Sequence, residues 1–250
     1  MLPCFKSKLL EQIPYVTHGF FTRNGGVSCG HYATLNVAER KTDDPEHVTE
    51  NRYRIQNALE CDNLQFNHQI HSAIVHHINT PGSAQEGDAL ITQTPRLLVG
   101  VQTADCLPIL MAHKKEKIVA AVHAGWKGSL AGIIQSTLEE LKQMCDLTEL
   151  CCVIGPSIAV KYFEVGEDVH NLGIQFNKSE FFQKNTTSNN KWNLDLRALV
   201  QQIIQDFSIT DIDHIHEDTY SQPNKFFSYR RSTHANEKKF GGQASVIGIL

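Results

Sequence analysis

Positive charge is the first thing this sequence is short of. Lysine and arginine number 23 against 27 aspartates and glutamates, a formal net charge of −4, so the chain has no basic field of the kind that draws a protein onto nucleic acid or anionic lipid. No stretch approaches the roughly 20 apolar residues of a membrane span. The opening MLPCFKSKLLEQIP lacks the charged, apolar and small-residue succession of an export signal. The expectation is a cytoplasmic protein with neither membrane nor nucleic-acid partners; nothing in the sequence specifies its oligomeric state. The seven cysteines are odd in number and irregular in spacing, and a chain this long needs no disulfide staples, so most of the thiols are expected to be reduced, buried and inert. Neither GxGxxG nor GxxxxGK[ST] occurs, which removes the usual dinucleotide and P-loop readings.

What the sequence does contain is the pattern of a mixed α/β protein. Hydrophobic residues make up 41% and charged residues 20% of 250 positions, ordinary for a globular chain able to bury a sizeable core, and residues 1–250 are read as one domain. Six segments rich in valine, isoleucine and leucine, namely AIVHHI, DALITQ, LLVGVQT, LPILMA, KIVAAVH and CCVIG, have strand length and strand composition. Helices are fewer. Asp44 followed by Pro45 is an N-cap with proline in the first turn, opening a helix over residues 45–60. Residues 129–145 set Leu130, Ile133, Ile134, Leu138 and Leu141 on one apolar face, which predicts a second helix; residues 194–207 predict a third. Strands and helices alternate without a βαβ rhythm, so the expected fold is mixed β-sheets packed between flanking helices. The polar run NKSEFFQKNTTSNNK, residues 177–191, reads as a surface excursion.

Three strand ends carry the chemistry. VAAVHAGWKG runs an apolar strand into His123 and breaks at Gly125, so this imidazole stands beside a helix N-terminus, where anions are favoured. QTADCLPILMA sets Asp105 and Cys106 between two apolar runs, the mark of a strand end or bulge at a site. NHQIHSAIVHHI presents Gln69 and His71 just before another strand. Each has a plainer alternative: a histidine bonded to a carbonyl, or a cysteine packed as a small hydrophobe. Together a thiolate and two imidazoles suit a divalent ion, and zinc accepts that mixture with a fourth position open for water or substrate. His76, His77, His113, His214 and His216 compete as ligands, though each reads more simply as a strand-face or surface residue. A hydrolase using Cys106 as nucleophile and His123 as base fits the same residues, and so does a nucleotide-binding module whose metal only ties strand ends together.

Eight ordered blocks, HGFFTRNGGVSCGHYATLNVAE, QIHSAIV, GDALIT, VQTADCLPIL, AVHAGWKG, IGPSIAVKYFEVGEDV, FFSYRR and GGQASVIGIL, resemble the YfiH-type family over nearly the whole chain. The family is also called the laccase domain-containing or multicopper polyphenol oxidase family. The resemblance implies a YfiH-like mixed α/β fold and a zinc site on His71, Cys106 and His123. It also implies a purine nucleoside phosphorylase acting on inosine, adenosine and methylthioadenosine, with adenosine deaminase side activity and with nucleosides and phosphate as its partners. Members are described as copper-dependent polyphenol oxidases as well, so copper is the alternative cofactor. Arg23 in TRNGGVS, Asn36, Arg52 on the first helix, Gln69, Lys127 and Arg230 with Arg231 are the candidate substrate and phosphate contacts. The HxE motif of zinc nucleobase deaminases is absent, so Asp88 of GDAL or Asp105 would supply the catalytic carboxylate; for Asp105 a supporting role beside a ligand fits equally well.

Three positions depart from the family pattern. Lys127 follows HAGW where arginine is usual, which keeps the charge but loses the planar fork that grips phosphate at two points. Gly241-Gly242-Gln243 stands for GRQ, and Asp218-Thr219 for a cysteine-threonine pair. None touches the three expected ligands. The oxidase reading is the weaker on chemistry, because a multicopper centre needs a further histidine-rich cluster and His214-Ile-His216 is the sequence's one HxH element.

Overall fold

The central strands are apolar at successive positions, so each must be covered on both faces, and two stacked sheets between helices satisfy that need. The computed structural model describes residues 2–39, 42–186, 188 and 190–250. A six-stranded sheet runs β13 (Ile212–His214), β9 (Leu150–Ile154), β7 (Leu107–His113), β8 (Val119–Ala124), β5 (Ala89–Thr92) and β4 (Val75–His77) in spatial order. Its two outer pairs are parallel and the others antiparallel. A five-stranded sheet runs β1 (Cys4–Phe5), β2 (Val16–Phe21), β14 (Gln243–Ile249), β6 (Leu97–Thr103) and β3 (Asn63–Gln65).

The period of two sorts the strand residues into layers. Val119 and Ala121 of β8, with Leu110 of β7 and Val153 of β9, pack between the sheets against Phe20, Val99 and Ile247; Leu10 of the short α1 (Lys8–Glu11) joins them. Ala120 and Val122, with Ile109, Met111 and Ile154, face the other way onto α4 (Ile133–Lys142) and α6 (Leu196–Asp206). Phe21, Leu98 and Val246 form the far face of the five-stranded sheet, covered by α2 (Pro45–Ala58) through Ile55. The layers are therefore helix, sheet, sheet and helices, the mixed α/β arrangement expected from the sequence.

All six predicted strands form, and LLVGVQT is β6 over its whole length. α2 opens where expected, the Asp44 side chain accepting the Glu46 N–H at 2.9 Å, and α6 is capped by Asp195, which accepts from Ala198 N at 3.0 Å. The helix expected over residues 129–145 differs. The chain forms α3 (Trp126–Ala131) and then α4, divided at Gly132, whose φ of +97° no helix-interior residue adopts. The expected apolar face survives the break, with Ile133, Ile134, Leu138 and Leu141 all buried.

The run 177–191 is not simply a surface excursion. β12 (Lys191–Leu194) pairs antiparallel with both β10 (Glu164–Gly166) and β11 (Phe182–Lys184) in a small third sheet. Phe182 is buried in the core, and α5 (Glu167–Gln175) lays His170 on the Trp192 ring at 3.5 Å. Polar composition hid these strands because only one face of them is covered. The thiols need a similar correction: all seven are unbridged, but only Cys61, Cys151 and Cys152 are buried. The other four lie in an edge strand, a loop, a strand entry and a helix end. Among the described residues no helix is long and apolar enough to cross a membrane.

Candidate active and metal site

β7 and β8 pair antiparallel with Leu107 opposite Ala124. That register sets Cys106, one residue before β7, across from Gly125, one residue after β8. β5 flanks β8 with Ala89 opposite Val122, so Asp88 lies across from His123, whose N–H donates to the Asp88 carbonyl at 2.7 Å. His71 arrives on the segment leading into β4, tied to the same place because Asp88 N–H donates to Ile74 O at 3.0 Å. Three strand ends thus meet at one edge of the sheet, and the ligating atoms of His71, Cys106 and His123 all lie within 4.8 Å of one another.

Asp88 is the residue that arranges them. Its carboxylate accepts the His71 N–H at 3.0 Å, the Ser72 N–H at 2.6 Å, the Ser72 hydroxyl at 2.7 Å and the His123 Nδ1–H at 2.7 Å. A carboxylate held this way only accepts, so Nδ1 of His123 carries the proton and the other ring nitrogen is left to ligate. Burial raises the Asp88 carboxyl, but its bonds to His123 and Ser72 bring it down to about 2. Burial alone would lower His123; the Cys106 sulfur and Asp88 facing it raise it to about 9, so without a metal the ring also holds a proton on the nitrogen toward Cys106 near neutral pH, and a metal bound there would displace it. Partial burial, and then the His123 ring, hold His71 at about 4, which keeps its imidazole neutral and its lone pair available. His71 has a φ of +60° and Asp105 a φ of +97°, unusual values for residues other than glycine and of a kind that collects at functional sites.

Gly125 leaves the room that convergence on a metal would need. A Cβ there would lie 2.5 Å from His71 Nδ1 and 3.1 Å from Cys106 Sγ, so only glycine leaves the ring and the sulfur room to converge. Two imidazoles and a thiol suit zinc or copper. They stand in the wall of a cavity of about 800 Å³, within the ~300–1,000 Å³ typical of small-molecule sites.

The other expected contacts divide into two groups. Gln69, Arg52, Lys127, Arg230 and Asp105 also line this cavity. Gln69 is committed to the wall itself, its amide exchanging two hydrogen bonds of 2.8 Å with the backbone of Gln102. Arg52 donates to Val37 O and to Glu39 and stacks 5.0 Å above Phe66. Arg230 donates to the carbonyls of Tyr162 and Glu164. Lys127 is exposed, and among the described residues it has no ion-pair partner; its ammonium lies 5.5 Å from the Trp126 ring. Asp105 accepts from Thr219 Oγ1, Ser228 Oγ and Arg230 N, the last at the start of α7 (Tyr229–His234), while burial pushes its carboxyl up. Asp105 therefore anchors the 219–230 segment beside Cys106, and Thr219 of the departing Asp218-Thr219 pair supplies one of its bonds.

Arg23, Asn36 and Arg231 are placed elsewhere. Arg23 donates to the carbonyls of Ala33 and Pro223 and covers the Phe227 ring at 4.4 Å. Asn36 spends its amide on Ala38, Asp43 and Gly242. Arg231 donates to the carbonyls of Thr219, Tyr220 and Phe226. None of these three lines the cavity, because each is used up in closing loops onto one another. The competing histidines stay apart from the cluster as well: His76 pairs with Glu86 O, His77 with Glu140, His113 with Asp146 O, and His214 stacks on His216.

Cavity residues that the sequence reading passed over include Asn67, Gln102, Trp126, Phe163 and Tyr229. Asn67 and Trp126 stand within a few positions of expected ligands, so proximity was a usable signal. Phe163 and Tyr229 come from distant segments, and no local pattern marks them.

Residues 17–250 match the family described as Multi-copper polyphenol oxidoreductase laccase. A relative from Deinococcus radiodurans named Purine nucleoside phosphorylase is 37% identical over 94% of this chain and 89% of its own. One from Escherichia coli named Purine nucleoside phosphorylase YfiH is 31% identical over 92% of each chain. The crystal structure of Neisseria meningitidis protein NMB0706 superposes with a TM-score of 0.85 at 32% identity, covering 94% of this chain and 95% of that one. With the match running through the strand ends of His71, Cys106 and His123, the chain belongs to the Multi-copper polyphenol oxidoreductase laccase family.

Proposed function

We propose that this protein is a purine nucleoside phosphorylase and that His71, Cys106 and His123 hold a zinc ion in its site. The observation that carries this reading is the convergence of those three donors within 4.8 Å in the cavity wall, in a chain whose relatives bear that activity in their names. Inosine, adenosine and methylthioadenosine are the proposed substrates, with deamination of adenosine at the same place. Copper is the alternative metal, since the same donors bind it tightly. Bound zinc supplies Lewis acidity close to the reacting groups.

The chain's own residues supply the rest. Phosphorolysis joins phosphate to the anomeric carbon as the bond to the purine breaks, and holding both reactants in one cavity supplies much of the rate through orientation. Arg52 and Arg230 already hold backbone carbonyls, so they shape the wall, whereas Lys127 beside the ligand cluster, and Lys191 elsewhere in the cavity lining, are exposed cations open to phosphate. Trp126 and Phe163 offer apolar surface to base and sugar. Asp88 fixes the orientation of His123 and the backbone of His71.

The test is chromatography of inosine and adenosine incubated with the protein, with and without phosphate, alongside Cys106→Ala and with metal content measured on both. Phosphate-dependent release of free base that disappears with the metal in Cys106→Ala is the expected result. No base release from folded, metal-loaded protein overturns the reading, and oxygen-dependent oxidation of phenols by the copper-loaded form would replace it.

A further inference from the structure

Asn67 is an anomaly in the cavity wall. It is only 4% exposed, yet among the described residues neither its Oδ1 nor its Nδ2 has a hydrogen-bond partner. A buried carboxamide with both arms unpaired is costly, and native proteins keep few of them. Two more buried orphans, Gln102 Oε1 and Thr103 Oγ1, line the same cavity. The backbone that follows Asn67 is pinned: His68 exchanges hydrogen bonds with Gln85 and Gly87, and Gln69 clamps Gln102. The orphaned amide is therefore held in place by its neighbours and not by bonds of its own. Four residues of extended chain, at most about 14 Å, separate it from the ligand His71, a span comparable with the length of a nucleoside.

The chemistry of the group narrows what it meets. Phosphate is an anion whose oxygens are mostly acceptors, so its charge faces the Oδ1 dipole unfavourably and it does not offer the coplanar donor and acceptor that a carboxamide matches. A purine's six-membered ring presents one donor next to one acceptor in a plane: N1–H and O6 in a 6-oxopurine, the 6-amino N–H and N1 in a 6-aminopurine. A carboxamide matches either edge with two hydrogen bonds. The two edges have donor and acceptor reversed, and an amide tied to nothing else turns over to follow them. We propose that Asn67 reads the purine base, and that its freedom from protein partners lets one site accept 6-oxo and 6-amino purine nucleosides alike. This rests on the nucleoside phosphorylase reading and adds the residue that sets base specificity.

The test compares kcat/KM for inosine, adenosine and purine riboside, which lacks a 6-substituent, in the wild type, Asn67→Leu and Asn67→Asp. Melting temperatures are recorded for all three proteins. Dividing each variant by wild type cancels the intrinsic reactivity of each nucleoside. In Asn67→Leu the expected result is a loss of about tenfold or more on inosine and adenosine, a smaller loss on purine riboside, and a melting temperature no lower than wild type, because an orphaned polar group has been removed. Asn67→Asp presents acceptors only, so on either edge it keeps the bond from the donor (N1–H or the 6-amino N–H) and loses the bond to the acceptor (O6 or N1), and inosine and adenosine are expected to lose to a similar extent, about tenfold each. In Asn67→Leu, equal losses on all three nucleosides, or a fall in melting temperature with selectivity unchanged, overturn the proposal. If wild type releases no base at all, the phosphorylase reading fails, and calorimetry with hypoxanthine and adenine then decides Asn67 on its own. Binding that weakens in Asn67→Leu upholds base reading, and no binding to wild type removes it.

Discussion

Asp88 and His123 are joined twice, the Asp88 carbonyl accepting the His123 N–H at 2.7 Å and the Asp88 carboxylate accepting the His123 Nδ1–H at 2.7 Å. One residue thus fixes both the backbone and the ring of a proposed metal ligand, while its carboxylate also holds the His71 N–H. In Asp88→Asn one oxygen becomes an amide donor facing the N–H groups of the His71–Ser72 turn. Metal affinity is expected to fall by about 10–100-fold, as read by competition with a chromophoric chelator. Undiminished affinity would show that the three ligands converge without this carboxylate.

Gly125→Ala tests the same convergence by volume. The added methyl would sit 2.5 Å from His71 Nδ1, so the ring must leave its place. Loss of the bound metal is expected, together with about 1–3 kcal/mol of destabilisation typical of overpacking. Metal analysis and denaturant unfolding of the same sample check both, and full metal occupancy in the variant would refute the steric argument.

Gly132→Ala isolates the break between α3 and α4. A Cβ there has room, its nearest neighbour being Gln135 Oε1 at 3.8 Å, but the φ of +97° is left-handed. The expected cost is about 1–2 kcal/mol from backbone conformation alone, measured by urea unfolding with nucleoside turnover unchanged. A neutral or stabilising effect would mean that α3 and α4 join into one helix without penalty.

Acid sensitivity of the fold is expected to run through His18. Its ring is 1% exposed and its Nε2 accepts the Ser7 N–H at 2.9 Å; burial first, and Lys6 second, hold it at about 3. In the unfolded chain the same ring takes its proton near pH 6.5. Below that pH only the unfolded state is protonated, so stability is full above about pH 6.5 and declines as pH falls toward 3, reaching a loss of about 2 kcal/mol at pH 5. Denaturant unfolding at pH 7 and pH 5 should show that component in wild type and not in His18→Gln. Identical pH slopes for the two proteins would assign the acid sensitivity elsewhere.

Much of the scaffold was readable because continuous apolar runs such as LLVGVQT and LPILMA need cover on two faces wherever they lie. α2 was readable because Asp44 and Pro45 act within a single turn. The strands within residues 177–191 were not, since their apolar content is one-sided and Phe182 finds its partners only in the folded core. Gly132 shows the limit from the other side: its neighbours keep a helical pattern through the break, and a pattern of side chains does not report one left-handed backbone angle.

The site divides along the same line. Local sequence marked His71, Cys106 and His123 as polar residues where apolar strands end, and that marking needs no knowledge of the fold. Which cations serve the site is a different matter. Arg23, Arg52, Arg230 and Lys127 look alike as charges in a string of letters, and only the folded chain shows that the first closes a loop, that the next two hold wall carbonyls, and that Lys127 is left exposed beside Trp126. The same holds for Asn67, whose meaning lies in bonds it does not make. A strand end is a local property, dictated by the covering that neighbouring residues require; a side chain's free hydrogen-bonding capacity depends on every group packed around it, and only the tertiary structure decides that.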